Sequence, residues 1–212
     1  MRRDPIESSL KGLGPVVLAV MALVIASPAW SSSLCPVNLP EMVQQADRIV
    51  VGRAVSEWTG RDERRFPATI TTFEVSQVLK GGPLQRIEVK QLGVTKVQPD
   101  GLATWIEGMP RYQKGSEYLL FLSPNSIYGF TMPVGAFQGA FEIRLAGPGK
   151  KAVLNAVNNA NLLRGLEAED LARLGLTPEA FPFVSRGRGP LHLDELAGMV
   201  ERLGRSGKGV SR

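Results

Sequence analysis

One histidine, His192, and one cysteine, Cys35, are all this chain offers for metal or thiol chemistry. Catalytic zinc ordinarily takes two or three histidines, or a Cys–His set. His192 and Cys35 stand in different segments, and the sequence contains no HExxH, CxxC or acidic calcium loop. His192 directly precedes an amphipathic stretch, where a surface or capping role suits it. A Ser–His–Asp set would have to be built on His192, with no GxSxG turn to present the serine; Asp194, two residues on, does not orient it. A Ser–Lys pair remains open. Among the carboxylates, Asp62 and Glu63 read as the solvated tip of a basic loop, and Asp47 and Glu74 as structural. Gly81-Gly82-Pro83 and Gly147-Pro148-Gly149 lack the lysine and helix of a phosphate loop. The expectation is no cofactor, no metal and no catalytic set, hence not an enzyme, with a hydrolase of unknown class as a further alternative.

What remains are residues suited to contact rather than catalysis. Arg61, Arg64 and Arg65 form the densest basic group, with Trp58 and Phe66 beside them. Trp105 lies in a Gly/Pro-rich stretch, where exposed aromatics can anchor a partner; tucking that loop onto the body is its structural role. Cys35, Trp58, Arg61, Arg64, Arg65 and Trp105 are the candidate partner-binding residues. Charges are mixed and the net charge is +5, so nucleic-acid binding is not implied.

The elements that must position these residues begin after a leader. Arg2, Arg3 and Lys11 precede an apolar run, Val16 to Ile25, then small residues from Ala26 to Ser33. This is the pattern of a secretory signal peptide, cut after Ser31 by the Ala29-Trp30-Ser31 rule or after Ser33. Its apolar core is about half the ~20 residues a membrane-spanning helix needs. Retention as an N-terminal membrane anchor is the alternative, and the only expected route to a membrane. Removing residues 1–31 takes three basic and two acidic residues and leaves a net charge of +4. An exported chain with one cysteine holds no internal disulfide, so burial and backbone pairing must stabilise it.

Asn38-Leu39-Pro40-Glu41 is a capped helix start, with the helix reaching about Ala46. Arg48–Trp58, Ala68–Leu79, Arg86–Leu92, Glu117–Leu122 and Phe137–Leu145 read as strands, with Leu102–Ile106 as a short edge piece. Val78 is out of phase with Phe73 and Val75, which predicts a bulge near Ser76 or Gln77. Gly52 inside a strand predicts a bend or the close approach of another backbone. Beyond Gly147, Val153, Val157, Ala160 and Leu163 have helical spacing, Ala168–Leu174 reads as a second helix and Leu193–Leu203 as an amphipathic one. Pro182 to Pro190 reads as a linker. The expected domains are a signal peptide at 1–31, a β body at 35–146, a helical appendage at 147–204 and a disordered tail at 205–212.

Three stretches together carry a resemblance. Ala46-Asp47-Arg48-Ile49-Val50-Val51-Gly52-Arg53 follows a short helix, Phe73-Glu74-Val75 leads into Val78-Leu79-Lys80-Gly81, and Lys114 to Leu122 (KGSEYLLFL) precedes Gly135 to Phe141. This layout resembles a group of exported bacterial proteins of uncharacterised function. It is also similar to the netrin-like domain, the OB-fold barrel of tissue inhibitors of metalloproteinases. The resemblance covers about 35–145 and implies a mainly β (α+β) fold: a small OB-like five-stranded barrel with a short N-terminal helix and a C-terminal helical appendage. In the inhibitors a first cysteine, held by a disulfide, chelates the protease zinc through its backbone. Cys35 occupies that place without a partner cysteine, and a cut after Ser31 leaves residues ahead of it, so only the barrel carries over. The functional expectation is an exported, periplasmic or secreted, non-catalytic module binding an exported or envelope protein. The alternative is a protease inhibitor or protease-associated protein of netrin-like type.

Overall fold

The computed structural model describes residues 35–101, 104–179 and 181–207. The expected leader lies outside them, as do Leu102 and residues 208–212. The elements run α1 (Leu39–Gln45), β1 (Arg48–Arg61), β2 (Pro67–Lys80), β3 (Arg86–Leu92), β4 (Glu117–Leu122), a 3-10 turn (Ala136–Gly139), β5 (Ala140–Gly147), β6 (Lys150–Asn155), α2 (Ala168–Arg173), α3 (Phe183–Arg186), β7 (Leu191–His192) and α4 (Leu193–Gly207). The strands form one antiparallel sheet in the order β3-β2-β1-β4-β5-β6-β7. Among the described residues no helix is long and apolar enough to cross a membrane.

α1 starts as its sequence predicts. The Asn38 side chain accepts from the Glu41 amide, and the Glu41 carboxylate accepts from the Asn38 amide. The other end is capped from a distance: Lys80 Nζ donates to the carbonyls of Val43 (2.7 Å) and Ala46 (2.5 Å). A cation there satisfies orphan carbonyls and complements the helix dipole, which gives the Lys80-Gly81 pair a structural reason. The predicted bulge falls at Ser76: Val51 pairs with Gln77 and Gly52 with Val75, leaving Ser76 over. At Gly52 a Cβ would stand 3.0 Å from the Glu74 carbonyl oxygen, so the close approach holds too.

Alternation along the strands gives the sheet two different faces. Ile49, Val51, Leu119, Phe121, Phe141, Ile143 and Val153 pack with α1, α3 and α4 in one core. Val50, Ala54, Phe73, Val89, Leu120 and Leu122 form a second core, joined by Tyr112 from the connection between β3 and β4.

The expected five-stranded barrel is not what forms. The sheet has seven strands and stays open, because β5 spends one edge on β4 and the other on β6 and has none left for β3. The nearest approach to closure is one backbone hydrogen bond, Thr131 N–H to the Lys90 carbonyl at 2.8 Å. Past the expected boundary at 146, β6 and β7 continue the same sheet. The stretch read as a helix from Ala152 is β6 followed by turns. Asn158, Asn159 and Asn161 have positive φ, a conformation that asparagine tolerates and a helix cannot use. The expected linker holds α3, with Phe183 buried. The expected tail begins too early, because α4 carries its turns through Gly207.

Candidate functional site

The β1–β2 hairpin ends in a tight tip. Asp62 N–H donates to the Phe66 carbonyl (2.9 Å) and Arg65 N–H to the Asp62 carbonyl (2.8 Å), which turns Arg65 into the left-handed region at φ 67°. Asp62 organises this turn. One carboxylate oxygen accepts from the amides of Phe66 (2.8 Å) and Arg64 (3.0 Å), and the other from Lys90 Nζ (2.8 Å). The Lys90 hydrogen bond, with the Phe66 and Arg64 amides, holds the Asp62 carboxyl below the usual carboxylate range. The Asp62 side chain is only 7% exposed, so the expectation of a solvated acidic tip is corrected: Lys90, across the sheet on β3, covers it.

Lys90 is fixed in turn. Its ammonium lies 4.6 Å from the Phe130 ring centroid and donates to the Tyr128 carbonyl at 3.2 Å. Phe66 packs against both rings, with centroids 5.5 Å from Tyr128 and 6.1 Å from Phe130. The Arg64 guanidinium stands over Tyr128 at 5.2 Å, a cation–π geometry. Arg61 pairs with Asp100 at 3.0 Å. Strand register then places Trp58, Ile70 and Lys90 side by side on one face. The result is a groove of about 460 Å³ walled by Trp58, Arg61, Arg64, Ile70, Lys90 and Tyr128. Its aromatic walls face water: Trp58 is 46% exposed and Tyr128 44%.

Three of the six expected contact residues, Trp58, Arg61 and Arg64, thus share one groove, and Arg65 sits at the tip beside it. Trp105 and Cys35 do not line it. Trp105 bridges to Gly93, is half-buried and carries the Arg111 guanidinium 4.8 Å over its ring, which fits a loop tucked onto the body. Cys35 is exposed, and its carbonyl accepts from Gln138 Nε2 at 3.0 Å. Sequence reading missed Lys90, Tyr128 and Phe130, which arrive from β3 and from the connection after β4. The one available signal was the pair of aromatics, Tyr128 and Phe130, in a glycine-containing turn.

Among the described residues no three metal-ligating side chains lie together. The His192 amide donates to the Glu195 carboxylate, so this residue serves the start of α4. Tyr118 and Tyr112 are both raised above the ordinary tyrosine pKa by burial and stay protonated. Compared with models of known protein families and with curated proteins, the chain matches none.

Proposed function

We propose that this chain is an exported, non-catalytic binding module that holds a partner protein in the groove at the β1–β2 tip. The supporting observation is the pairing of exposed aromatic walls with a rigid frame. Trp58 and Tyr128 are open to solvent while Asp62 and Lys90 beneath them are fixed by hydrogen bonds, and Phe66, itself 37% exposed, braces Tyr128 through a ring contact. Aromatic and arginine side chains on a preorganised support are the composition of interface hot spots. The finer expectation, an OB-like barrel, is limited to the β1–β2–β3 meander with β4 on the far side of β1, the strands that carry the second core.

The experiment is photo-crosslinking from position 64 in the exporting cell, with mass identification of the product. A single partner band should form, and Trp58→Ala with Tyr128→Ala should weaken capture at least ~10-fold, as a loss above ~1.4 kcal/mol at a hot spot requires. The melting temperature should barely move, because both side chains are half exposed. An unchanged band in the double variant removes the groove from the function. Intact mass of the exported protein tests the location; a retained residue 1 would favour the anchored alternative.

A further inference from the structure

β3 ends the sheet, and its pairing with β2 decides which backbone groups point outward. Val75 N–H donates to the Gln85 carbonyl and Gly93 N–H to the Pro67 carbonyl. In an antiparallel ladder the bonded residues alternate, so Gln85, Ile87, Val89 and Gln91 face β2 while Arg86, Glu88 and Lys90 face away. The chain already uses the outward edge once, where the Lys90 carbonyl accepts from Thr131. Arg86 and Glu88 open instead onto a groove of about 620 Å³ between β3 and the segment after β4, at the place where the sheet fails to close.

The two walls of this groove differ. Leu84, Ile87 and Leu122 give it an apolar side continuous with the second core. On the opposite face Arg86 is spent on Glu74 (2.9 Å) and Arg48 on Asp47 (3.6 Å), whereas Glu88 is exposed and forms no ion pair among the described residues. We propose that this seam takes an extended strand of a partner protein, added to the edge of β3 through the backbone groups of Arg86 and Glu88. Its alternate side chains are apolar, resting on Leu84 and Ile87, and basic, facing Glu88. Strand addition supplies affinity through main-chain bonds and specificity through alternate side chains. The unpaired carboxylate selects the sign of the partner's charge. The seam is separate from the tip groove and does not rest on the reading of it.

The test is amide hydrogen exchange by NMR on the full chain, with a blocked heptapeptide of alternating lysine and valine as the probe. At a ninefold excess over its dissociation constant, the Arg86 and Glu88 amides should be protected about tenfold. Glu88→Lys should abolish this and confer it on the matching glutamate–valine peptide. Glu88→Pro removes an outward N–H at an edge position where proline is tolerated, and should lose binding with the melting temperature kept; should it unfold, Glu88→Lys decides alone. Trp58→Ala with Tyr128→Ala should leave the peptide effect unchanged, so a failure of the tip groove and a failure of the seam are told apart. Three results overturn the proposal: no protection at millimolar peptide, equal protection by the acidic peptide, or protection of the same amides without peptide that grows with protein concentration, which would assign the seam to a second copy.

Discussion

The helix-covered face of the sheet and its opposite face solve the burial problem in different ways. The first is an apolar core of aliphatic and phenylalanine side chains, and its polar requirements are met by a closed amide network. Asn159 accepts from the Asn155 amide and donates to the carbonyls of Val153 (2.8 Å) and Gly189 (2.9 Å), while Asn155 donates to the Gln138 carbonyl (2.8 Å). The second core is built of Phe73, Tyr112 and Tyr118 in edge-to-face contact, and two buried hydroxyls on this side, Thr71 Oγ1 and Tyr112 OH, have no hydrogen-bond partner among the described residues. A satisfied polar network specifies one arrangement, whereas an unsatisfied one costs stability. The open seam borders the second core, and both proposed binding surfaces lie toward the β1–β2–β3 end of the sheet.

The largest expected effect breaks the first core. Phe121→Ala empties a fully buried site against Phe141 and should cost about 3–5 kcal/mol, read from urea unfolding. The loss should come as one transition. β4 carries Leu119 and Phe121 to one core and Leu120 and Leu122 to the other. Two separated transitions would mean that the two faces unfold independently.

Asn159→Ala strikes the network. It strands the Asn155 amide and two carbonyls, and places alanine at φ 56°. A cost of about 2–4 kcal/mol follows from unsatisfied buried groups and left-handed strain. Asn159→Gly should recover only the conformational part. A full recovery by glycine would show that the side-chain bonds contribute little.

The two tyrosines sharpen the contrast within the second core. Tyr118 OH accepts from the Gln113 amide at 2.9 Å, whereas Tyr112 OH has no hydrogen-bond partner among the described residues. Tyr118→Phe should cost about 1 kcal/mol, while Tyr112→Phe should be neutral or stabilising, because it removes an unsatisfied buried group. Both phenols are raised above pH 10 by burial. Their contribution is complete below the unfolded pKa near 10 and is lost as the pH rises from there through the raised folded values, so alkali should weaken wild type more than the double phenylalanine variant. Equal alkaline midpoints would contradict this.

The parts of the fold legible in sequence are those whose signals are local. The Asn38–Glu41 box, the Ser76 bulge, the apolar run of β4 and the stripe of α4 each lie within a dozen residues. The failures are non-local or deceptive. Val153, Val157, Ala160 and Leu163 imitate a helix, but the asparagines between them favour left-handed turns and Asn155 and Asn159 bind backbone. Whether β5 pairs with β3 or β6 is a competition between edges that periodicity cannot rank. The site divides the same way: Trp58, Arg61 and Arg64 were legible because one hairpin carries them, while Lys90 and Tyr128 needed the folded register.

Acid should act on the tip and leave the helix-side core alone. The Asp62 carboxyl is depressed by Lys90 and by the turn amides, so its contribution is present above the unfolded pKa of 3.8 and is lost as the pH falls through the lower folded value. Asp62→Asn should narrow its gap to wild type below about pH 4, in urea midpoints taken across pH 2–6. A gap constant through that range would show that the amides, and not the charge, hold the turn.

The smallest effect tests whether the tip is shaped for binding or for stability. Arg65 holds a left-handed conformation that costs a non-glycine residue about 1 kcal/mol, and glycine relieves that strain at the cost of a more flexible unfolded chain. Arg65→Gly should therefore raise stability by at most about 1 kcal/mol. Among the described residues the Arg65 side chain forms no hydrogen bond or ion pair that would offset the strain; its backbone is engaged at both ends, the N–H by the Asp62 carbonyl at 2.8 Å and the carbonyl by Arg61 at 3.3 Å. A gain in stability accompanied by weaker partner capture would mean that the residue is kept for its guanidinium at the rim of the groove. A gain with capture unchanged would confine recognition to Trp58, Arg64 and Tyr128.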